Sequence, residues 1–284
     1  MSIAVRSHRT QRRVGHQVRI WAGVIVCLLF LFPVLWMVMT SFKLPKDIFT
    51  VPPTIFFTPT IETYTSYLQY ADVPQRMLNT VIVAFGASIV SIVAGAMAGY
   101  ALARIRIKGA ATLGVLILAS RGVPPIALAV PMFLVARNLG LADTHIVLIL
   151  AYCSFLIPYV MWLLRGFFVA LPKELEEAAQ LDGCSRMGAF FRIIVPISLP
   201  GIVSALIFSV ILAWEELLFA LVLTNNFATT IPVAVAGIAG DTVNGANWGA
   251  LAAVGTLTVI PVVLFALLVQ KWLIRGMAEG ATKG

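Results

Sequence analysis

Charged side chains are rare in this chain, so the few that interrupt its apolar stretches are its first candidates for chemistry. Of its 284 residues, 60% are hydrophobic and only 11% are charged. Arg121 interrupts one apolar stretch, and Glu215 and Glu216 stand together in another. A charge at the centre of a bilayer costs about 2.5–3.5 kcal/mol on insertion scales, so it has to be paired or hydrated. We therefore expect an ion pair between Arg121 and Glu215 or Glu216, either at a functional site or as a structural link between two spans.

A second group of charges lies in the polar segment, residues 171–201, which separates two strongly apolar stretches. The segment holds four of the twelve carboxylates of the chain, at Glu174, Glu176, Glu177 and Asp182. Carboxylates in the first turn of a helix complement its dipole, and Pro172 suits such a start because its missing N–H costs nothing there. The acidic helix is either a plain connection between two spans or a surface that a partner binds.

Helical periodicity predicts two short helices within the polar segment, with Gly183 as the C-cap between them. One face of the first helix comprises Leu175, Ala178, Ala179 and Asp182. Ser185 is placed to cap the second helix. The apolar face of that helix comprises Met187, Phe190, Phe191 and Ile194. Pro196 and Pro200 are expected to end it and to begin the next apolar stretch.

The composition is typical of a membrane protein. Soluble domains carry about 25% charged residues, whereas the mean hydropathy of this chain is +0.98. A span needs about 20 apolar residues, and the apolar runs predict an all-α integral membrane protein with six transmembrane helices. The expected spans are 21–40, 77–103, 110–136, 145–164, 198–224 and 249–273. A basic arm at 1–20 precedes them, and a tail at 274–284 follows.

Two spans have unusual sequences. The span at 77–103 is rich in Gly, Ala and Ser, which allow helices to approach closely in lipid. The span at 110–136 contains Arg121, Gly122 and three prolines, so we expect a broken helix whose irregular backbone is surrounded by protein or water. Outside the spans, residues 41–76 are expected to carry a short interfacial helix, and part of 225–248 is expected to fold back into the protein.

The distribution of basic residues predicts the orientation. Six spans place both termini on one side, and fifteen Lys and Arg residues fall on that side against four on the other. This bias places the termini and the polar segment on the cytoplasmic side of the membrane. The net charge of +8 then suits contact with anionic lipid rather than nucleic acid. The three cysteines and three histidines form no cluster, so we expect no metal site.

A longer pattern in the polar segment has a family resemblance. Glu177-Ala178-Ala179, followed by Gly183 and Ile193-x-Val195-Pro196, resembles the EAA motif of ATP-binding cassette (ABC) importer permeases. Val195 stands where the family usually has leucine. Together with shorter matches, the resemblance covers nearly all of 20–284 and points to the carbohydrate-uptake branch, most similar to the smaller permease of maltose-type systems. The shorter matches lie at Asn79, 139–144, Trp214 and 276–284.

The resemblance implies a type I ABC importer permease fold, in which the polar segment is a coupling helix docked on a cytoplasmic ATPase. The residues implied for this coupling are Glu174, Glu177, Ala178, Ala179, Asp182, Gly183, Phe191 and Pro196. It also implies a second homologous permease, two ATP-binding subunits that use ATP and Mg²⁺, and an extracytoplasmic substrate-binding protein. The cargo implied is a sugar, oligosaccharide or polyol. This chain lacks a phosphate-binding P-loop motif, so we expect no cofactor bound to it and no catalysis by it.

Six residues are candidates for the translocation path, with packing as the alternative for the three uncharged ones and a structural ion pair as the alternative for the three charged ones. They are Arg121, Trp214, Glu215, Glu216, Asn79 and Tyr152. The family usually has asparagine where Glu215 stands. A stand-alone secondary transporter that uses Arg121 and Glu215 as an ion or proton site is an alternative function, although no internal repeat supports it. An intramembrane enzyme is a third alternative without a catalytic constellation to support it.

Overall fold

The structure is a computed structural model that describes residues 3–70, 72–105, 108–240 and 247–281, with side chains from 17 onward save at 18, 68–70 and 271–281. The described part is helical and contains no strand. Its helices are α1 (Ile3–Ser41), α2 (Pro45–Ile48), α3 (Glu62–Tyr70), α4 (Val73–Arg104), α5 (Ala110–Ala119), α6 (Pro125–Asn138), α7 (His145–Ala170), α8 (Glu174–Leu181), α9 (Arg186–Ala189), α10 (Val195–Ile197), α11 (Leu199–Trp214), α12 (Leu218–Leu223), α13 (Ile231–Ala239) and α14 (Trp248–Ala281). The arginine side chains of the basic arm up to Arg13, Arg106, Asp241, and the tail side chains lie outside the described residues.

The chain divides into two compact units, Met1–Gln69 with Ile238–Leu257, and Tyr70–Gly237 with Thr258–Gly284. In the first unit, the apolar part of α1, Arg19–Ser41, is long enough to cross a membrane. Lys43 is 1% exposed, and its ammonium group lies 4.9 Å from the ring centroid of Trp36 and 5.5 Å from that of Phe57. Two aromatic rings thus surround this buried cation.

The second unit is built on close packing between α4 and α7. A Cβ atom placed on Gly86 would lie 2.8 Å from Ile149, and one on Gly95 would lie 2.7 Å from Val160. A Cβ atom on Gly99 would lie 2.8 Å from the carbonyl oxygen of Met161. The expected small-residue face is therefore confirmed, because side chains at these glycines would force the helices apart.

The order of those contacts shows that α4 and α7 run parallel, since positions 86, 95 and 99 meet 149, 160 and 161 in the same sequence. The chain between two parallel helices has to return along their length before the second one begins. The pair α5 and α6 makes this return, with a bend of 87° at a short break. This pair is thus one broken span, as the Gly122 and proline cluster predicted.

The helix α11 packs against α7 in the opposite direction. A Cβ atom on Gly201 would lie 2.7 Å from the ring of Phe167, near the end of α7. Tyr152, near the start of α7, approaches Glu216 just beyond α11. Two apolar clusters form along these helices, one around Tyr152 and Trp214 and the other around Phe168 and Phe190.

Each of the six expected spans falls on helical residues, but three of them differ from the prediction in their bounds or in their continuity. Four helices are long enough to cross a membrane alone, and the number among the described residues rises to six if each of two bent pairs is taken as one span. The helix α4 begins at Val73 and α7 continues to Ala170, beyond the expected 77 and 164. The span expected at 198–224 is not one helix, because α11 ends at Trp214 and α12 begins at Leu218.

Candidate functional site

The first helix of the polar segment, α8, ends as its sequence predicted. Gly183 has φ +85°, a left-handed conformation that glycine adopts without a steric penalty. The N–H of Cys184 donates to the carbonyl oxygen of Ala179 over 2.9 Å, and the N–H of Gly183 donates to that of Gln180 over 3.1 Å. This arrangement is a Schellman-type cap. Gly183 therefore fixes the turn between α8 and the next helix.

The two faces of α8 differ in exposure. Glu174, Glu177, Ala178 and Asp182 are exposed, as is Leu181, with 89% of its surface accessible. Ala179 is 4% exposed and packs inward. The expectation that Ala178 and Ala179 together form a surface for a partner is therefore corrected, because adjacent helix positions point about 100° apart.

The second helix of the polar segment begins as predicted but does not keep the predicted α-helical repeat of 3.6 residues. The hydroxyl of Ser185 accepts a hydrogen bond from the N–H of Gly188 over 3.1 Å. After α9, residues Phe190–Ile194 form a π-helical turn in which the N–H of Val195 donates to the carbonyl oxygen of Phe190. Pro196 follows and has no N–H for an α-helical bond, which favours the wider turn.

The burial observed in the second helix differs in part from the predicted apolar face. Phe190 and Ile194 are 2% and 0% exposed, whereas Met187 and Phe191 are 51% and 56% exposed. The predicted apolar face is thus correct for Phe190 and Ile194 and wrong for Met187 and Phe191. Pro196 is exposed, and the helical run bends by 77° into α11 just after it.

Glu176 is the residue of the polar segment that the sequence prediction missed. It is 9% exposed, and its Oε1 lies 3.2 Å from Nε of Arg104 at the end of α4. The other two glutamates of α8, Glu174 and Glu177, lie in the same first turn, so local sequence does not distinguish this one. Glu176 lies three residues before the buried Ala179 and so shares its side of the helix, but the burial of Ala179 was itself not apparent from the sequence.

Arg121 lies in the 3₁₀ turn Ser120–Gly122, between the two halves of the broken span. Its side chain is exposed, and the guanidinium carbon lies 5.1 Å from the ring centroid of Tyr159. The ion pair expected with Glu215 or Glu216 is not formed in the described part of the chain. The expectation is corrected because it assumed two continuous helices, whereas both helices break at these charges.

The two acids of the expected pair have other surroundings. Glu215 is exposed and follows the last residue of α11. Glu216 accepts hydrogen bonds from the N–H groups of Phe219 and Ala220 over 2.9 and 3.3 Å. This carboxylate satisfies the free N–H groups at the start of α12, where the helix dipole favours a negative charge. Glu216 therefore supports the break in the helix.

The aromatic candidates of the translocation path lie inside the helical bundle. Trp214 is 6% exposed, and its indole N–H has no hydrogen-bond partner within the described residues. Tyr152 is 1% exposed, and its hydroxyl lies 3.4 Å from the carbonyl oxygen of Glu216. These two residues and Glu216 are close together, whereas Arg121 and Asn79 contact other partners.

Asn79 is fully buried and holds the loop between α12 and α13. Its Nδ2 donates to the carbonyl oxygens of Phe227 and Thr229 over 2.8 and 3.0 Å. Its Oδ1 accepts from Gln75 over 3.1 Å and lies 2.9 Å from Nε2 of His145. The amide is thus occupied by the protein itself, which favours the packing alternative for this residue.

Asp143 anchors the same loop and was not among the predicted site residues. Its Oδ1 accepts from the N–H groups of residues 225 and 228, and its Oδ2 from those of 226 and 227, over 3.0–3.2 Å. Burial alone would raise the pKa of this carboxyl, but these four N–H donors outweigh it and lower the pKa. We call Asp143 with residues 224–230 the loop clamp.

The loop clamp and the polar segment lie at opposite ends of the parallel helices. Asn79 and His145, at the starts of α4 and α7, contact each other. Arg104, at the end of α4, donates from Nη2 to the carbonyl oxygen of Leu171, beyond the end of α7. The two ends are about 25 residues apart on α4, or about 37 Å.

Comparison with known proteins gives consistent matches over most of the chain. The family model described as "Binding-protein-dependent transport system inner membrane component" matches residues 91–279. A probable ABC transporter permease protein, y4oR of Sinorhizobium fredii, is 34% identical over 100% of both chains. The trehalose/maltose transport system permease protein MalG of Thermococcus litoralis is 32% identical over 92% of this chain and 95% of its own. A crystal structure of a bacterial ABC transporter for alginate import is similar in fold, with a TM-score of 0.68, 23% identity, and coverage of 93% of this chain and 97% of that one.

Proposed function

We propose, from the premise that this chain belongs to the family of binding-protein-dependent transport system inner membrane components, that it is one permease subunit of an ATP-driven importer. It forms half of the translocation path and does not hydrolyse ATP itself. ATP and Mg²⁺ bind to a separate cytoplasmic subunit, and this chain binds no cofactor. The observation that carries the proposal is the exposed acidic face of α8 beside the Gly183 cap.

Charge and helix packing together support the proposed orientation. The polar segment lies at the same end of α4 as Arg104 and Lys108, where the basic residues accumulate. The positive-inside rule assigns that end to the cytoplasm. The loop clamp then lies on the extracytoplasmic side, and an even number of spans returns both termini to the cytoplasm.

The polar segment is proposed to dock on an ATPase through α8. Glu177, Ala178 and Asp182 are exposed and form an acidic surface, and the exposed Leu181 supplies an apolar contact next to it. A basic groove on the ATPase complements these charges. Glu174, Gly183, Phe191 and Pro196 are the flanking contacts and turns of the same docking element, and Ala179 supports it from inside.

The apolar surfaces that this chain exposes are proposed to be covered by lipid and by its remaining partners. The apolar window of α1 is 0% buried and that of α14 is 22% buried, so lipid and a second, homologous permease cover them. The complete importer contains the two permeases, two copies of the ATP-binding subunit and an extracytoplasmic substrate-binding protein. Rocking of the permeases as ATP closes the ATPases gives alternating access.

The proposed cargo is a sugar, oligosaccharide or polyol. Relatives with about a third of their residues identical are named for uptake of diacetylchitobiose in Streptomyces coelicolor, of trehalose in Mycobacterium tuberculosis and of sulfoquinovosyl glycerol in Agrobacterium fabrum. All three cargoes contain a sugar unit. Along the path, Trp214, Tyr152 and Glu216 are the grouped candidates, whereas Arg121, Glu215 and Asn79 stay separate predictions.

A secondary transporter is not favoured. That alternative requires Arg121 and Glu215 to act as one ion or proton site, yet Arg121 lies against Tyr159 and the pair with Glu215 is not formed in the described part. The secondary-transporter alternative also assigns no role to the acidic face of α8.

Uptake of labelled trehalose, maltose and chitobiose tests the proposal in cells that carry the chain with the subunits encoded beside it. We expect Glu177→Arg to reduce ATP-dependent uptake by about tenfold or more, because the reversal opposes a basic partner surface. Glu62→Arg is the matched control, since Glu62 is also exposed but lies in α3. Uptake that persists after removal of every ATPase subunit would refute the proposed function.

A further inference from the structure

The buried contact between Arg104 and Glu176 joins α4 to the polar segment. The two side chains are 4% and 12% exposed, and Nε and Oε1 are 3.2 Å apart. The same guanidinium group donates from Nη2 to the carbonyl oxygen of Leu171 over 2.7 Å. One arginine thus holds both the entry to the polar segment and the helix α8.

The contact is better suited to positioning than to stability. Nε and Oε1 meet as opposite charges without the alignment of a hydrogen bond. Removing two charges from water is costly, and an apolar pair of similar volume stabilises a fold at least as well. Charges do, however, fix one relative orientation of the elements that carry them. The ion pair therefore specifies how α8 lies against the end of α4.

A second contact between α4 and the polar segment lies one turn away. The ring of Tyr100 on α4 is 4.6 Å from the ring of Phe190 and 6.1 Å from that of Phe168, between centroids. Phe190 belongs to the second half of the polar segment, beyond Gly183. Both halves of the segment are consequently attached to the same end of α4.

The helix α4 is in turn a rigid element of the second unit. Its glycines 95 and 99 leave no room for a Cβ atom against α7, so the two helices cannot slide freely past each other. At its other end, Asn79 holds the loop between α12 and α13. A displacement of α8 that is passed to α4 will therefore reach the loop clamp, about 37 Å away.

We propose that Arg104 and Glu176 form a positioning pair that passes the movement of α8 to α4. The inference rests on the proposed docking of α8 to an ATPase and assigns the next step after it. Glu177 is exposed and faces the partner, whereas Glu176 is buried and faces the membrane helices. Loss of Glu177 thus weakens docking, whereas loss of the pair leaves the ATPase docked and disconnects it from the transport path.

The test uses the complete importer in lipid nanodiscs and measures three quantities: ATPase subunit retained, ATP hydrolysed, and labelled sugar transported. Glu176→Gln keeps the shape of the side chain and removes its charge. We expect the ATPase to stay bound, its hydrolysis to remain within about twofold of wild type, and the sugar moved per ATP to fall by about tenfold or more. Glu62→Gln is the matched control, because this exposed carboxylate lies on α3 and outside the polar segment.

Two further variants separate positioning from a general loss of structure. The charge exchange Arg104→Glu with Glu176→Arg restores the ion pair but not the hydrogen bond to Leu171. We therefore expect it to recover part of the lost transport per ATP, to a value above that of Glu176→Gln. Arg104→Lys keeps the charge but loses the planar fork that reaches both Glu176 and Leu171, so its value should lie between wild type and Glu176→Gln. If Glu176→Gln does not accumulate in the membrane, the sugar transported per ATP is compared between wild type and these two variants instead.

Several results would overturn the inference. One is Glu176→Gln with wild-type transport per ATP, and another is loss of the ATPase subunit from that variant, which would make Glu176 a docking residue. A proportional fall of transport and hydrolysis would also contradict it, as would failure of the charge exchange to restore coupling. Wild-type importer without any ATP-dependent uptake would instead refute the proposed function, so the two failures are distinguishable.

Discussion

Replacing Asp143 with asparagine tests whether one carboxylate holds the loop clamp. The two oxygens of Asp143 accept four backbone N–H groups from residues 225–228. Asparagine keeps one oxygen and presents an NH₂ donor to the two N–H groups that used the other. Two charge-assisted hydrogen bonds are lost, and each contributes about 1.5–3 kcal/mol where water is excluded.

The net effect is smaller than the sum of those bonds because residues 225–227 are exposed and water can replace part of the loss. We expect the free energy of local opening to fall by about 1.5–2 kcal/mol. Since about 1.4 kcal/mol corresponds to a factor of ten, hydrogen exchange at these amides should accelerate about 10–30-fold. Hydrogen–deuterium exchange of the protein in lipid nanodiscs measures this directly.

Asp72→Asn is the matched control for Asp143→Asn. Asp72 also has a positive φ, 46° against 58° for Asp143, but it is exposed and its side chain makes no capping hydrogen bond. Its replacement should leave exchange in the loop unchanged. If Asp143→Asn also leaves exchange at residues 225–228 within about twofold of wild type, the carboxylate does not hold the loop.

The loop clamp should also respond to pH in one direction. The pKa of Asp143 is lowered in the folded protein, whereas an unfolded aspartate titrates near about 3.9. The stabilisation is then complete above the unfolded-state pKa and is lost as the pH falls through the lower folded-state value. After correction for intrinsic exchange rates, protection of these amides should be constant between about pH 5 and 8 and should decline below about pH 4.

Two further predictions concern glycines. Gly99→Ala places a Cβ atom 2.8 Å from the carbonyl oxygen of Met161, so we expect a loss of about 1–3 kcal/mol of folding stability and a lower midpoint of thermal unfolding in detergent. Gly166→Ala, whose Cβ atom meets nothing within 4 Å, should not lower the midpoint. Equal midpoints for the two variants would contradict the close approach of α4 and α7. Gly183→Ala forces alanine into a left-handed conformation with φ near +85°, at a cost of about 1–2 kcal/mol. Hydrogen exchange at the N–H of Cys184 should therefore accelerate about tenfold. Unchanged exchange at this N–H would show that the cap does not need glycine.

The features that the sequence predicted correctly depend on a few neighbouring residues. Gly183 and Ser185 cap helices through bonds that span three to five positions, and this chemistry is local. The broken span was predicted for the same reason, because Gly122 and the prolines act on the backbone where they stand. The family resemblance added a role for the polar segment, which no local rule provides and which stays a prediction.

The predictions that were wrong extended an ideal helix too far. The pairing of Arg121 with Glu215 or Glu216 was predicted from their depths in the membrane, calculated for straight helices. One of these helices bends by 87°, and the other ends at Trp214. Phe191 was assigned to the apolar face by a period of 3.6 residues, which the π-helical turn interrupts. In each case the local backbone changed the direction of the side chains that followed.

The residues that were missed have partners far away in sequence. Arg104 and Glu176 are separated by a whole broken span and by α7, and Asp143 contacts amides more than eighty positions later. Asn79 was predicted as a candidate, but its partners, carbonyl groups about 150 positions away, were not. Charge and spacing in one sequence do not identify such pairs, because many acids and bases satisfy the same pattern.

The parallel packing of α4 and α7 has a consequence for biogenesis. Synthesis proceeds from the N-terminus, so α4 enters the membrane before its main partner has been translated. During that interval the glycine-lined face of α4 and the amide of Asn79 have neither α7 nor the loop that later binds them. The insertion machinery or lipid has to accommodate this face until α7 arrives. Nascent chains arrested before residue 145 should therefore be the form of this protein that membrane quality-control proteases recognise most readily.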